Sequence, residues 1–531
     1  MHCRNCAGRR ERLLFLAIIL SIPRLGLVAQ GTTTAKAVAP VLRTTDGPVQ
    51  GMTLPSGVRA FRGIPFAAPP VRELRWRPPQ PAAKWQGLRA ADRFANQCMQ
   101  ARVFADMMFR NSGVSEDCLY LNAWAPASAR SGSGLPVLVY FFGGGFVAGD
   151  GSEFRYDGES MARRGIVVVT TSYRLGIFGF FAHQELAAES PQGASGDYGL
   201  MDQVAALRWV RANIAAIGGD PQRVTIAGES AGSMSVSALM ASPLARGLFA
   251  RAIGESGAFF SSSGPMPTRA QMEQNGSRFA DAVGAPSLAA LRALSATELL
   301  EMSARQGMPR FGTDVDGYFF PQSPIETYAA GRQARVPLLA GWNSEESSWR
   351  ALTPRPPTPD SASAVLARMF GARAGEAAEH YPARDTVEAM QSLTDLASDR
   401  FIAYSTWKWL DVHAATSGQP VYRYLYARPR PGARGAVHSA EIEYALGNLA
   451  TNKVYAWTPD DEKVSATMQS YFANFIATGD PNGRELPKWP VGSVGANGEV
   501  QRLRIDVEPR AEAEPRARYR FLDEVFASAR P

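Results

Sequence analysis

The chain has no apolar run long enough to cross a membrane as a helix. Leu13 to Ile22 is uninterrupted but is cut off by Pro23 and Arg24, at about half the roughly 20 residues a span requires. A stable membrane anchor is therefore not expected. No block of Lys and Arg with interleaved aromatics occurs, so a nucleic-acid partner is not expected either. The formal charge of +7 does not argue otherwise. Residues 1 to 31 hold five arginines against the single Glu11, a net of +4, which leaves only +3 on the rest of the chain. Internal repeats are absent. Histidine is scarce, with five in 531 residues, and so is cysteine, with four, which makes each of these residues informative.

What is present begins with a leader. Arg4, Arg9, Arg10 and Arg12 precede the apolar run, and small residues follow near Ala29 and Gly31. This is the pattern of a signal peptide over residues 1–31, and it predicts export to a periplasm or the cell exterior. Cys3 and Cys6 lie ahead of the run and would leave with it. Cys98 and Cys118 remain as an even pair in a chain bound for an oxidising compartment, so a disulfide between them is expected. In the loop-entropy picture such a closure is worth about 3 kcal/mol.

From residue 32 onward, short β-branched and aromatic runs alternate with helical patterns. This alternation predicts an α/β fold with a central, mostly parallel twisted sheet and helices on both faces. Candidate strands are Leu135 to Phe142, Gly165 to Thr171, Val224 to Gly228, Val336 to Gly341 and Val421 to Ala427. Tyr198 to Ile217 has helical spacing and ends at Gly218-Gly219-Asp220-Pro221, a glycine stop closely followed by proline. Helix-like stretches near 270–306 and 360–410 interrupt the alternation. We read them as insertions of a single domain over 32–531 that shape a pocket at one end of the sheet.

The strongest local signal is Gly228-Glu229-Ser230-Ala231-Gly232, between the strand pattern VTIAG and the helical pattern AGSMSVSALMAS. A serine at a sharp strand-to-helix turn needs a strained backbone, and flanking glycines let neighbouring chain come close. This GxSxG context resembles the nucleophile elbow of α/β-hydrolases and makes Ser230 the candidate nucleophile. A second element, LPVLVYFF, runs into Gly143-Gly144-Gly145-Phe146, where side-chain-free residues leave N–H groups free to face an oxygen. Gly144, Gly145 and Ala231 are the expected oxyanion-hole donors. The glycine spacing is not GxGxxG, which argues against a dinucleotide loop.

In that fold class the order along the chain is Ser, then Asp or Glu, then His. Of His380, His413 and His438, the first two lie in helical patterns and read as surface or packing residues. His438 lies in the glycine-containing loop PRPGARGAVHSAEIE, shortly after VYRYLYA, where a positioned base belongs. The acid should follow the preceding strand, in Trp342-Asn343-Ser344-Glu345-Glu346-Ser347. Spacing alone does not choose between Glu345 and Glu346.

The blocks FRGIPFAAPP, LRWRPP, SEDCLYLN at Ser115 to Asn122, GGGF, SYRLGIFGF, GDYGLMDQ, GGDPQRVTIAGESAGS, GWNSEES, HSAEIEY and NFIATGDPNG occur in this order. Together they resemble the type-B carboxylesterase family, which includes bacterial para-nitrobenzyl-type esterases, over about residues 38 to 527. The resemblance implies a serine carboxylesterase of small-molecule esters with no metal or organic cofactor. It assigns the acid to Glu346 and the base to His438. It also implies a disulfide at Cys98 and Cys118, a buried ion pair between Arg75 and Glu116, and supporting roles near the histidine for Glu229, Ser256 and Glu441. Two departures stand out. Phe142 occupies a position where many members have His, which suggests a changed pocket polarity. The loop from Cys98 to Cys118 has Phe104, Met107, Met108 and Phe109 but no Trp, which argues against a choline substrate.

These residues imply acyl transfer through an acyl-enzyme, with hydrolysis as its outcome. Transfer to an alcohol and amide hydrolysis use the same machinery. A non-catalytic binding protein on the same fold would have lost the serine, and this chain keeps all three residues.

Overall fold

The runs LPVLVYF, VVVTT and LLAGWN are apolar and β-branched without alternation, as strands buried on both faces must be. They form the middle of an eleven-stranded sheet. In this computed structural model residues 39–111, 113–260, 264–492 and 499–528 are described; the expected leader, with Cys3 and Cys6, lies outside them. In chain order the strands are β1 (Met52–Thr53), β2 (Arg59–Pro65), β3 (Tyr120–Ala125), β4 (Leu135–Phe141), β5 (Val167–Thr171) and β6 (Gly219–Glu229). They continue with β7 (Arg251–Glu255), β8 (Leu338–Asn343), β9 (Val421–Tyr426), β10 (Gln501–Ile505) and β11 (Arg510–Ala513). Across the sheet the order is β11-β10-β9-β8-β7-β6-β4-β5-β3-β2-β1. The run from β10 to β5 is parallel, and both ends are finished by antiparallel strands.

All five expected strands are present, with ends shifted by a few residues. The expected helix over Tyr198 to Ile217 is an α-helix, α1 (Tyr198–Asn213), with a 3-10 turn at Ile214–Ile217 and Gly218 left-handed at φ 99°. Its buried residues include Asp202, whose carboxylate takes two bonds from Arg174, at 2.7 and 2.8 Å. Burial of that charge is tolerated because the fork-shaped partner is buried with it. Helix α2 (Ala231–Ala241) follows β6 directly, and α3 (Pro459–Thr478) packs along β4 and β6.

The region after β7 holds helices at Arg269–Ala282, Leu288–Ala293 and Ala296–Ser303. The region after β8 holds Pro359–Phe370, Ala374–His380, Thr386–Ser398 and Tyr404–Ser417, with a π-helical turn at Asp399–Ala403 joining the last two. Cys98 and Cys118 are joined in a disulfide. Beside it, Arg75 and Glu116 form a two-pronged ion pair with both contacts at 2.6 Å. No helix among the described residues is long and apolar enough to cross a membrane.

Candidate active site

The central candidates from the sequence lie beyond the carboxyl ends of parallel strands: the glycine loop after β4, Ser230 after β6, Ser256 after β7, Glu346 after β8 and His438 after β9. In doubly wound sheets this rim is where ligands bind, because the loops there splay apart at the change in strand order.

Ser230 adopts φ 57° and ψ −120°, a region costing a non-glycine residue of order 1–3 kcal/mol. The surroundings enforce it. The Ser230 N–H donates to the carbonyl of Glu255 at 2.8 Å, and α2 starts at the next residue. Gly232 has no room for a side chain, since a Cβ there would stand 2.0 Å from the carbonyl oxygen of Phe141. The glycine loop abuts the serine: a Cβ on Gly143 would lie 3.1 Å from Ser230 Cβ. Gly144, Gly145 and Phe146 follow with φ of 111°, 63° and 60°, a run of positive φ that favours glycine at its first two positions.

His438 sits between serine and acid. Its Nε2 is 2.9 Å from Ser230 Oγ and its Nδ1 is 2.6 Å from Glu346 Oε2. The imidazole is 24% exposed while the Glu346 side chain is sealed at 0%, so the ring is reachable from outside and its carboxylate partner is shielded from water. Glu346 Oε1 accepts the Asn343 N–H at 2.6 Å and the Ser256 hydroxyl at 2.5 Å. Glu345 faces away: its N–H bonds Ala436, and its carboxyl packs against Gly435.

Glu229 Oε1 lies 3.3 Å from His438 Nε2 and accepts the Ser439 hydroxyl at 2.8 Å. Burial opposes a charge on His438, but Glu229, Glu346 and Glu441 favour it more strongly, and the imidazole is pushed up to about 9. The other histidines are elsewhere. His413 is buried and bonds the Val336 carbonyl at 2.9 Å; burial lowers it to about 4. His380 packs against Phe521, and His183 against Phe181.

Phe142 packs in the interior. It is buried and stacked on Tyr173 at 4.3 Å. Aromatic rings nevertheless pack near the serine and histidine loops. Phe146 stacks on Phe259, Phe259 meets Phe320 edge-on, and Phe401 stands edge-on to His438 at 5.0 Å. Sequence reasoning missed Phe259 and Phe401, which read as ordinary core residues. It also missed Asn343 and Ser439, whose only signal was adjacency to Glu346 and His438. A cavity of about 420 Å³ lined by Trp342, Asn343, Ser344 and Ser398 lies behind the Glu346 loop and includes neither Ser230 nor His438. Among the described residues no three His, Cys, Asp or Glu side chains are grouped to hold a metal ion.

The chain matches the model of the carboxylesterase family over residues 38–521. It is 37% identical over 468 residues to a fumonisin B1 esterase of Sphingopyxis macrogoltabida, covering 85% of this chain and 84% of that one. It is also 37% identical over 516 residues to carboxylesterase 5A of Canis lupus familiaris, covering 88% and 86%. Among solved structures it is similar to a carboxylesterase of Geobacillus stearothermophilus, with TM-score 0.78, 32% identity, and 91% and 99% of the two chains covered. A PNB esterase gives TM-score 0.75 at 31% identity with the same coverage. With its α/β-hydrolase fold and this match over nearly its whole length, the chain belongs to the carboxylesterase family and is an ester hydrolase.

Proposed function

We propose that Ser230 is the nucleophile, His438 the general base and Glu346 the acid of a two-step ester hydrolysis. The observation that carries this reading is the unbroken hydrogen-bond chain from Ser230 Oγ through His438 to Glu346. Ser230 attacks the ester carbonyl as His438 takes its proton, and Glu346 holds the imidazole in the required tautomer and stabilises its charged form. The N–H groups of Gly144, Gly145 and Ala231 receive the oxyanion, each worth on the order of 3 kcal/mol in the transition state. His438 then protonates the leaving alcohol, and water hydrolyses the acyl-enzyme by the reverse proton path. Glu229, Ser256 and Glu441 support the histidine and its acid.

Residues 32–531 act as one catalytic domain, and the protein works outside the cytoplasm after loss of residues 1–31. The disulfide at Cys98 and Cys118 supports that location, since such bonds persist in oxidising compartments. Substrates are small esters with apolar parts, in keeping with Phe146, Phe259 and Phe401 around the serine and histidine. The test is pre-steady-state hydrolysis of short- and long-chain p-nitrophenyl esters. A burst of one equivalent of p-nitrophenol, absent in Ser230→Ala, is expected; a burst of equal size in that variant overturns the assignment.

A further inference from the structure

Phe401 touches the imidazole of His438 from an unusual place for a phenylalanine. The two rings stand edge-on with centroids 5.0 Å apart, yet Phe401 is 51% exposed and lies outside the hydrophobic core. Exposure alone would mean little, since single apolar side chains are common on protein surfaces; contact with the histidine gives it meaning. The next residue, Ile402, is buried. A Cβ built on Gly257 would meet Ile402 Cδ1 at 3.3 Å and the Ser230 carbonyl oxygen at 2.8 Å. Two consecutive side chains therefore flank the site, Ile402 under the serine turn and Phe401 beside the histidine.

The backbone holds this arrangement from behind. Phe401 and Ile402 belong to the π-helical turn Asp399–Ala403, between the helices Thr386–Ser398 and Tyr404–Ser417, a widened turn of a kind that recurs at functional sites. Inside it the Ile402 carbonyl accepts the hydroxyls of Ser405 and Thr406, at 2.8 and 3.1 Å. Asp399 is buried and anchors the far side, accepting from the Tyr381 hydroxyl and from Arg518 Nε, each at 2.9 Å. None of these bonds involves the Phe401 ring, so the ring is presented by a frame that does not depend on it.

In the proposed reaction His438 Nε2 gives its proton to the oxygen of the departing alcohol, so that oxygen must come within hydrogen-bond reach of Nε2. The first carbons of the alcohol then lie close to whatever packs on the imidazole. Both ring nitrogens are already engaged, Nδ1 by Glu346 and Nε2 by Ser230 and Glu229. Phe401 brings apolar surface to the ring and no hydrogen bond, and Val437, the residue before the histidine, adds more at 42% exposure. We propose that Phe401 is a specificity-determining residue that forms the alcohol-side wall of the site, and that the substrates are esters of apolar alcohols long enough to cover its ring. The acyl half is bound elsewhere, and the water that resolves the acyl-enzyme does not use the ring. This rests on the reading of His438 as the base.

The experiment compares kcat/KM of wild type, Phe401→Ala and Phe401→Leu on two series: butyrate esters of methanol, butanol and hexanol, and methyl esters of acetic, butyric and hexanoic acids. In Phe401→Ala the hexyl-to-methyl ratio of the butyrates should fall about tenfold, with part of that loss recovered in Phe401→Leu. The hexanoate-to-acetate ratio of the methyl esters, and the single-turnover deacylation of the butyryl-enzyme, should stay within about twofold of wild type, because neither contains the alcohol difference. An unchanged hexyl-to-methyl ratio overturns the proposal. So does an equal fall for every ester in both series, which together with a displaced acid limb of kcat/KM would make Phe401 a prop for His438. Turnover surviving in Ser230→Ala would remove the reading of the nucleophile and base, whereas an unchanged alcohol ratio with the wild-type burst intact removes only the role of Phe401.

Discussion

Two groups of buried carboxyls share this fold and are treated in opposite ways. At the strand ends, Glu229, Glu346 and Glu441 meet hydroxyls, amides and the imidazole of His438. At the start of α1, Asp197 and Asp314 are equally buried, and neither meets a side-chain donor. Their neighbour Asp316 commits its oxygens to the N–H groups of Tyr318, Phe319 and Phe320, at 2.8 to 3.0 Å. Burial, with Asp316 beside it, pushes Asp314 up to about 8, and burial and Asp314 raise Asp197 well above the usual carboxylate range. Burial raises Glu229 and Glu441 as well, so what separates the two groups is their partners: those near His438 are bonded into its surroundings, whereas Asp197 and Asp314 meet no side-chain donor. Mutation should separate the two groups, one answering in rate and the other in stability.

The largest expected effect is at Ser230, the proposed nucleophile beside the first group. Ser230→Ala should lower kcat by up to about a million-fold if serine, base and acid act as a unit, measured by steady-state hydrolysis with active-site titration to exclude wild-type carry-over. Glu346→Gln comes next, at about ten-thousand-fold in kcat, since an amide keeps the shape but favours the wrong imidazole tautomer. If Glu346→Gln costs less than tenfold, Glu346 is packing and the comparison collapses.

Glu229→Gln sharpens the contrast within the first group. His438 is raised to about 9 with Glu229 as the foremost charge favouring its protonated form, so the neutral imidazole that the proposed mechanism needs appears only as pH rises toward that value. Removing the Glu229 charge should move the acid limb of kcat/KM down by about one pH unit. The pH–rate profile of the variant checks this.

The smallest effect is the one that tests the second group. Asp314 holds its proton in the folded state up to about 8, while the unfolded chain loses it near 4. Folding therefore binds a proton across that window, and stability is greatest below it and falls as pH rises through it. Asp314→Asn should flatten that slope and raise Tm at pH 8 by a few degrees, leaving the acid limb of kcat/KM in place. Calorimetry from pH 5 to 8 reads the first; a shifted limb would join the two groups electrostatically and end the distinction.

Much of the site was legible because it is local. Glycines at 228 and 232 around Ser230, and the glycine run after β4, are direct consequences of a backbone forced into positive φ and close approach. The inner strands were legible from their unbroken apolar runs. The edges were not: β3 mixes Asn and Trp with small residues, and β11 reads Arg-Ala-Glu-Ala, patterns that become strands only because a neighbour offers a ladder to complete. Glu345 and Glu346 were indistinguishable by spacing, and Phe401, on a π-helical turn against His438, was hidden inside an ordinary helical period.

The sequence by itself determined the chemistry available: one serine in a strand-to-helix turn, a glycine loop for backbone donors, a loop histidine and a pair of glutamates. Only the tertiary structure decided which groups meet, because His438 and Ser230 are 208 residues apart and His438 and Glu346 are 92 apart. Their meeting depends on the parallel register of β6, β7, β8 and β9. Burial did the rest: it raises carboxyls in both groups, and what separates them is whether neighbours supply hydrogen-bond partners, which is a property of neighbours in space.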